Sequence, residues 1–297
     1  MYPSNFRYHR AESFEQASRL LVELSEDAKV IAGGQTLIPM MKLRLLRPSD
    51  LIDLRPIAGA DGISETSDAI EIGALARHDA VARSGIAARY PIIKDCAAGI
   101  ADAQVRNMGT IGGSLAEADP NSCWPALLVA LDAHVECVGL VGTREQSVRD
   151  LLADAYTPNL EHGELITRVI IDRAALEGAG TFVAFKRCAP AYPTASCALT
   201  IRYDGAAMQS AQMGFGCLGL TPLALDATDI VRGKSVSPEL VRDLAETAAE
   251  FVEPLTDNKG TEAYKRTLLK GLIRRAFDNV ERRRRGEVVT ETHFYYG

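Results

Sequence analysis

The pattern of apolar positions in the first 55 residues predicts a small α/β unit. Ser13-Phe14-Glu15-Gln16 fits a capping box, in which Ser13 caps a helix and Gln16 reaches back. Apolar residues then recur at helical spacing as far as residue 24. Short apolar runs at residues 29–32 and 51–54 predict two buried strands. Two glycines directly follow the first strand, and a short helix is predicted after them.

The middle of the chain alternates between strand and helix patterns. Strands are predicted at residues 69–74, 134–138 and 165–171, and helices at residues 78–84, 90–101 and 125–131. Gly109-Thr110-Ile111-Gly112-Gly113 has three glycines in five residues. Each glycine costs about 1 kcal/mol relative to alanine in a helix interior. We therefore predict that this segment is a specialised loop and not a helix.

The last third of the chain has strand patterns first and helix patterns afterwards. Strands are predicted at residues 181–186, 195–203 and 211–216, and helices at residues 238–251 and 260–285. This order predicts an α+β domain with a three-stranded antiparallel sheet and helices. We place a first domain at residues 1–176, with subdomains at about 1–55 and 56–176, and a second domain at residues 177–297.

Composition and charge exclude several classes of protein. Of the 297 residues, 47% are hydrophobic and 24% are charged, which is typical of a globular protein with a substantial core. The net charge of -6 offers no positive field that would attract nucleic acid. No apolar run approaches the ~20 residues that span a bilayer. The N-terminus has no apolar signal segment, so we expect a cytoplasmic protein.

The one concentrated basic run is Arg282-Arg283-Arg284-Arg285, at the end of the last predicted helix. Basic side chains at a helix C-terminus interact favourably with the negative end of the helix dipole. A solvated helix end is therefore one interpretation of this run. A docking site for an acidic partner surface is the other.

Neither a metal site nor a catalytic residue is predicted. The six cysteines include no C-x-x-C pair, and their spacing fits neither zinc nor iron–sulfur ligation. We expect buried reduced thiols, so any iron–sulfur cluster must lie on another chain. The five histidines show no metal-binding spacing, and Ser114 has no evident base partner.

Two glycine segments carry the candidate chemistry: Ala32-Gly33-Gly34-Gln35-Thr36 and Thr110-Ile111-Gly112-Gly113-Ser114. Without a Cβ, backbone N–H groups can approach an anion closely, which suits a pyrophosphate. Any side chain at these glycines is expected to obstruct the pyrophosphate. Ordinary turn chemistry is the alternative. Neither segment matches the P-loop or the Rossmann fingerprint.

The longer stretches around these segments resemble a known family. Residues 32–44, AGGQTLIPMMKLR, and residues 105–115, VRNMGTIGGSL, are similar to the two FAD-binding signatures of flavoprotein subunits of molybdenum hydroxylases, of the xanthine dehydrogenase and carbon monoxide dehydrogenase type. The resemblance covers essentially the whole chain. It implies a two-subdomain FAD-binding domain of the vanillyl-alcohol-oxidase (PCMH) type, followed by a smaller domain similar to the carbon monoxide dehydrogenase flavoprotein C-terminal domain.

The resemblance also implies the residues that contact the cofactor. Carried over position by position, they are Lys29, Val30, Ile31, Ala32, Gly33, Gly34, Gln35, Thr36, Ile100, Thr110, Ile111, Gly112, Gly113, Ser114, Leu165 and Lys186. Gln35 and Thr36 stand where many relatives carry histidine and serine. Cys123 stands where relatives often have aspartate, and nearby Asp119 is a candidate source of that carboxylate.

Two of the implied positions have a specific physical interpretation. A cation at Lys186 near the pyrimidine side of a flavin would stabilise the anionic reduced form; a strand lysine with its head in solvent is the alternative. Tyr192, between two prolines, aligns with a region that approaches the flavin ring in relatives. Stacking on the flavin and packing in the core or an interface both remain open for Tyr192.

The function that the resemblance implies is electron transfer by an oxidoreductase subunit. A large molybdopterin-binding subunit would oxidise a small molecule, and a small subunit with two [2Fe–2S] clusters would pass electrons to FAD on this chain. The assembly would be a dimer of heterotrimers, that is, a heterohexamer. NAD, a quinone, a cytochrome or oxygen would accept the electrons. A stand-alone flavin reductase or oxidase and a flavin-free scaffold are the alternatives.

Overall fold

The computed structural model describes residues 2–295, which form three sheets in chain order. The first sheet has three parallel strands in the order β1-β3-β2. Its elements are β1 (Arg7–Arg10), α1 (Phe14–Glu23), β2 (Lys29–Ile31), α2 (Leu37–Lys42) and β3 (Asp50–Asp53). The predicted capping of α1 is confirmed in part. Ser13 Oγ accepts from the Gln16 N–H at 3.2 Å, whereas Gln16 Oε1 accepts from the Glu12 N–H and not from Ser13.

The second sheet has five antiparallel strands in the order β4-β5-β8-β6-β7. Its strands are β4 (Ile63–Glu65), β5 (Ala69–Gly73), β6 (His134–Gly139), β7 (Gly142–Ser147) and β8 (Leu165–Asp172). The helices of this part are α3 (His78–Arg83), α4 (Gly85–Arg89), α5 (Pro91–Ala98), α6 (Ala103–Arg106), α7 (Ile111–Glu117), α8 (Cys123–Ala130) and α9 (Val148–Leu151).

The glycine-rich segment near residue 110 is partly helical, so the prediction of a loop throughout is wrong. Gly112 and Gly113 lie in the first turn of α7, and Thr110 caps that turn. Glycine is costly in the interior of a helix, but this pair occupies an end. Close packing against a neighbouring backbone, described below, requires one of the two glycines.

The third sheet has five strands in the order β12-β11-β10-β9-β13. The elements are β9 (Ala179–Lys186), β10 (Pro193–Asp204), β11 (Ala207–Gly216), β12 (Leu223–Asp226), α10 (Thr228–Val231), α11 (Pro238–Phe251), α12 (Glu262–Arg284) and β13 (His293–Tyr295). The three predicted antiparallel strands are its centre. Two edge strands were missed: β12 is antiparallel, and the C-terminal β13 pairs in parallel with β9.

The hydrophobic core continues across the proposed domain boundary at residue 176. Phe182, Ala184 and Ala198 of the third sheet belong to the same buried cluster as Ile93 of α5 and Trp124 of α8. A second core lies between the other face of this sheet and helices α11 and α12. The division of the chain at residue 176 therefore stays a proposal. None of the helices in residues 2–295 is both long enough and apolar enough to cross a membrane.

The basic run at the end of α12 is structurally engaged. Arg283 makes a two-pronged ion pair with buried Asp95 of α5, at 2.7 and 2.8 Å, and donates to Gly180 O. Arg284 pairs with Glu281, while Arg282 and Arg285 both pair with Glu287. The run is therefore neither a purely solvated helix end nor a free docking site.

Candidate cofactor site

The first glycine loop, residues 32–36, joins β2 to α2. Gly34 has a φ of +70°, which permits the sharp turn. Within the described residues, the N–H groups of Gly33, Gly34, Gln35 and Thr36 have no hydrogen-bond partner. Consecutive free backbone donors in a turn are the groups that bind phosphate oxygens in many anion sites. The residues of this loop therefore fit an anionic group such as a pyrophosphate.

The second glycine loop differs, because its N–H groups already have partners. The Ile111 N–H donates to Ala76 O at 3.0 Å, and the Gly112 N–H donates to Ala74 O at 2.9 Å. Gly113 donates to Thr110 Oγ1 at 3.1 Å, and Ser114 donates to Thr110 O. The expectation of two equivalent backbone cradles is thus revised. This segment can offer a ligand the exposed backbone of Gly113 and the Ser114 hydroxyl. The Ser114 hydroxyl lies 2.6 Å from Ser122 Oγ.

The first loop touches Met108 and Gly109, directly before the second loop, and glycine makes the contact possible. A Cβ on Gly33 would lie 2.1 Å from Met108 O and 2.8 Å from Gly109 Cα. A Cβ on Gly112 would lie 2.9 Å from Ala74 Cα. These two glycines are therefore required by backbone packing. That a side chain at these positions would also obstruct a pyrophosphate stays a prediction.

His78 lies beneath the second loop and was not found by sequence reasoning. Trp124 Nε1 donates to His78 Nδ1 at 3.1 Å, which leaves the proton of the neutral ring on Nε2. Burial, and secondarily the nearby Arg106 charge, lower the pKa of His78 to about 4. His78 is therefore a neutral structural residue at neutral pH. Nothing in the local sequence distinguishes it from a surface histidine.

Lys186 is fully buried, so the solvated alternative is wrong. Its Nζ donates to Gly99 O and, at 3.2 Å, to Ala189 O. Burial lowers the pKa of Lys186. The C-terminal strand β13 covers the same place, because a Cβ on Gly99 would lie 1.9 Å from the His293 ring.

Ile100 follows Gly99 directly, so it lies next to Lys186. Arg106 Nη1 donates to Ile100 O at 2.8 Å and to Ala101 O at 3.1 Å. Leu165 is buried in a different cluster, against which Val30 of β2 and Ala32 of the first loop pack. Ile100 thus lies near Lys186, and Leu165 lies near Val30 and Ala32, all of which are predicted cofactor contacts.

Asp119 and Tyr192 belong to a polar network at the turn of residues 119–121, beside the start of β10. Asp119 Oδ1 accepts from Asn121 N–H and Nδ2, both at 2.9 Å, and from Tyr156 OH at 3.2 Å. Burial, and then the Asp119 carboxylate, raise the pKa of Tyr192. The Tyr192 side chain keeps about half of its surface exposed, so it is not a core residue.

Lys259 completes this network and was missed by sequence reasoning. Its Nζ donates to Asn121 Oδ1 and, at 3.2 Å, to Pro193 O. The same Nζ lies 5.6 Å from the centroid of the Tyr192 ring. Lys259 precedes α12 and is far from its partners in sequence, so no local pattern could have identified it.

Cys123, at the position of the family aspartate, is a buried thiol at the start of α8. Burial raises the pKa of Cys123 to about 11, against the opposing effect of Lys186 and Lys259. The thiol is thus neutral and supplies no carboxylate. Within residues 2–295, no group of three or more His, Cys, Asp or Glu side chains could hold a metal ion.

Comparison with known protein families matches two models to consecutive parts of the chain. Residues 4–173 match the FAD binding domain in molybdopterin dehydrogenase. Residues 180–280 match the CO dehydrogenase flavoprotein C-terminal domain. Together the two matches extend over almost the whole chain.

Similar proteins include medium chains of two dehydrogenases. The glyceraldehyde dehydrogenase medium chain of Sulfolobus acidocaldarius is 34% identical, over 94% of this chain and 100% of its own. The carbon monoxide dehydrogenase medium chain of Afipia carboxidovorans is 35% identical, over 95% of this chain and 99% of its own. A chain of quinoline 2-oxidoreductase from Pseudomonas putida 86 has a TM-score of 0.89 at 29% identity, with 94% of this chain and 98% of that chain covered.

Proposed function

The chain belongs to the family of FAD-binding subunits of the molybdenum-containing dehydrogenases, and on that premise we propose that it is an electron-transfer subunit of such a complex. The proposed route begins at a molybdenum cofactor on a large partner. It passes through two [2Fe–2S] clusters on a small partner to FAD on this chain, and ends at an external acceptor. We propose a dimer of such heterotrimers in the cytoplasm.

The observation that supports this proposal is the run of four free N–H groups at residues 33–36. Such a run can bind a diphosphate without a lysine side chain. Met108 and Gly109, which directly precede the second glycine segment, lie against this loop. We propose that the Ser114 hydroxyl of that segment contributes to the same site. When bound, FAD would supply the redox chemistry, while the protein supplies binding, orientation and control of the potential.

Lys186 is the residue that we propose to act on the reduced cofactor. Its ammonium group contacts two carbonyl oxygens, and no carboxylate in residues 2–295 forms an ion pair with it. The positive charge is therefore not neutralised by the protein. A buried cation of this kind would stabilise a nearby anionic reduced flavin.

Expression of this chain alone tests the proposal. We expect a yellow protein that binds FAD but oxidises no organic substrate until the partner chains are added. Substantial turnover by the isolated chain would favour a stand-alone flavin reductase or oxidase. A colourless protein that still joins the complex would favour a flavin-free scaffold.

Purification from the native host tests the partners separately. We expect molybdenum, iron and acid-labile sulfide to copurify with FAD through a tag on this chain. Their absence from a gently purified, flavin-containing sample would contradict the proposed complex.

A further inference from the structure

The segment that follows the first glycine loop is apolar, basic and exposed. α2 has the sequence Leu-Ile-Pro-Met-Met-Lys, yet Met41 is its only buried residue. Leu43 and Leu45, just beyond the helix, are 66% and 68% exposed. Adjacent apolar side chains on a surface are a common mark of a binding site.

The charge of this segment is opposite to that of the whole chain. Between Ala28 and Ser49 the sequence contains Lys29, Lys42, Arg44 and Arg47 and no acidic residue, although the net charge of the protein is -6. The nearest ion pairs use Arg7 and Arg55 instead. Within residues 2–295 no ion pair involves the cations at positions 42, 44 and 47. These three side chains are exposed and remain available to a partner.

The backbone holds the segment in a defined shape. The Arg44 N–H donates to Met41 O at 3.0 Å, and the Leu45 N–H donates to Met40 O at 2.9 Å. This is the Schellman arrangement, in which glycine usually takes the left-handed position. Here Arg44 occupies that position with a φ of +61°. Retention of an unfavourable conformation at an exposed, basic residue is typical of a functional surface.

We propose that residues 42–47 are a docking surface for an acidic partner chain, and that this partner is the iron–sulfur chain of the complex. The inference rests on the proposed function. α2 begins at the loop that would hold the diphosphate, so a chain bound beside it lies next to the cofactor. The chain that delivers electrons to FAD must bind close to FAD. Carboxylates around an apolar recess on that chain would complement the leucines and the three cations.

The first experiment measures the iron and FAD content of two surface variants and one control variant of the complex purified from the native host. Leu43→Ser/Leu45→Ser and Arg44→Glu alter the proposed surface. Leu140→Ser/Val141→Ser is the matched control, because these residues are 57% and 103% exposed in the β6–β7 turn. We expect both surface variants to keep their FAD and to lose iron by about tenfold or more. The control should keep the wild-type ratio of iron to FAD.

Salt provides a second measurement on the same samples. Iron retention by the wild-type complex should fall as ionic strength rises, and Arg44→Glu should reduce that dependence. Surface variants that retain iron at the wild-type ratio would overturn the docking surface alone. A wild-type protein without FAD would instead overturn the proposed function.

Carbodiimide cross-linking identifies the occupant directly in the unmodified complex. The reagent joins the Lys42 ammonium to a carboxylate in contact with it. We expect the peptide attached to Lys42 to come from the chain that carries the [2Fe–2S] clusters. A peptide from the molybdenum chain, or from a second copy of this chain, would overturn the proposed partner.

Discussion

At the scale of single residues, two side chains outside the predicted set support the site. His78 is buried beneath the second glycine segment and accepts from Trp124. Lys259 joins the turn at residues 119–121 to the strand that begins at Pro193. Both were missed because their partners lie far away in the sequence, whereas Ser13 and the glycines have local signals.

The depressed pKa of His78 predicts a loss of stability in mild acid. As the pH falls below 6.5, the unfolded chain binds a proton at this residue, whereas the folded chain does so only near pH 4. Stability is therefore lost between these two values, by about 2 kcal/mol between pH 7.5 and pH 5. Urea denaturation at both pH values should show this loss. The His78→Gln variant lacks this titrating group, so its free energy of unfolding should fall by about 2 kcal/mol less than that of the wild type between the two pH values. An equal fall in both proteins would contradict a depressed pKa of His78.

Removal of the Lys259 ammonium should weaken the connection between the turn at residues 119–121 and the third sheet. Lys259→Met leaves Asn121 Oδ1 and Pro193 O without their donor, which should lower the free energy of unfolding by about 1–3 kcal/mol. Urea denaturation at neutral pH measures this change. Lys94→Met, at an exposed position of α5, is the control and should have little effect. An equal response of the two variants would exclude a structural role for Lys259.

At the scale of elements, α12 is fixed to α5 by an ion pair that the sequence pattern did not indicate. A run of four arginines predicts a basic helix end, but only the structure distinguishes Arg283, whose side chain is 13% exposed, from Arg285, whose side chain is 58% exposed. The helical register decides which arginine points inwards. Similarly, glycine content alone did not reveal that α7 begins at Ile111, because a helix end tolerates glycines that a helix interior does not.

Truncation of Arg283 should therefore be strongly destabilising. Arg283→Ala leaves the buried Asp95 carboxylate without its cation, at a cost of about 3–5 kcal/mol. Arg285→Ala removes an exposed ion pair with Glu287 and should cost less than about 1 kcal/mol. Chemical denaturation of the two variants at neutral pH gives the comparison. A small effect of Arg283→Ala would show that Asp95 is protonated or solvated in the folded protein.

At the scale of the whole molecule, the hydrophobic pattern predicted most of the central elements and the order of the three parts. The FAD-binding signatures supplied the family. The missed strands β1, β4, β7, β12 and β13 all lie at sheet edges, and the pairing of β1 and β13 depends on partners far away in the sequence. The contact between the glycine loops also required the structure, because more than seventy residues separate Gly33 from Met108. That contact joins the first sheet region to the second, so its disruption should affect both stability and cofactor binding.

Gly33→Ala tests this contact between the two loops. The new Cβ would meet Met108 O at 2.1 Å, a backbone atom that cannot move without separating the loops. We expect a lower melting temperature together with loss of FAD on gel filtration. Gly271→Ala in α12 is the matched control, since a Cβ there has no neighbour within 4 Å. The control should keep FAD and gain up to about 1 kcal/mol from helix propensity. If Gly33→Ala instead binds FAD at full occupancy with an unchanged melting temperature, the loops do not need this close approach, and the free N–H groups at residues 33–36 would have to bind the cofactor without help from the second segment.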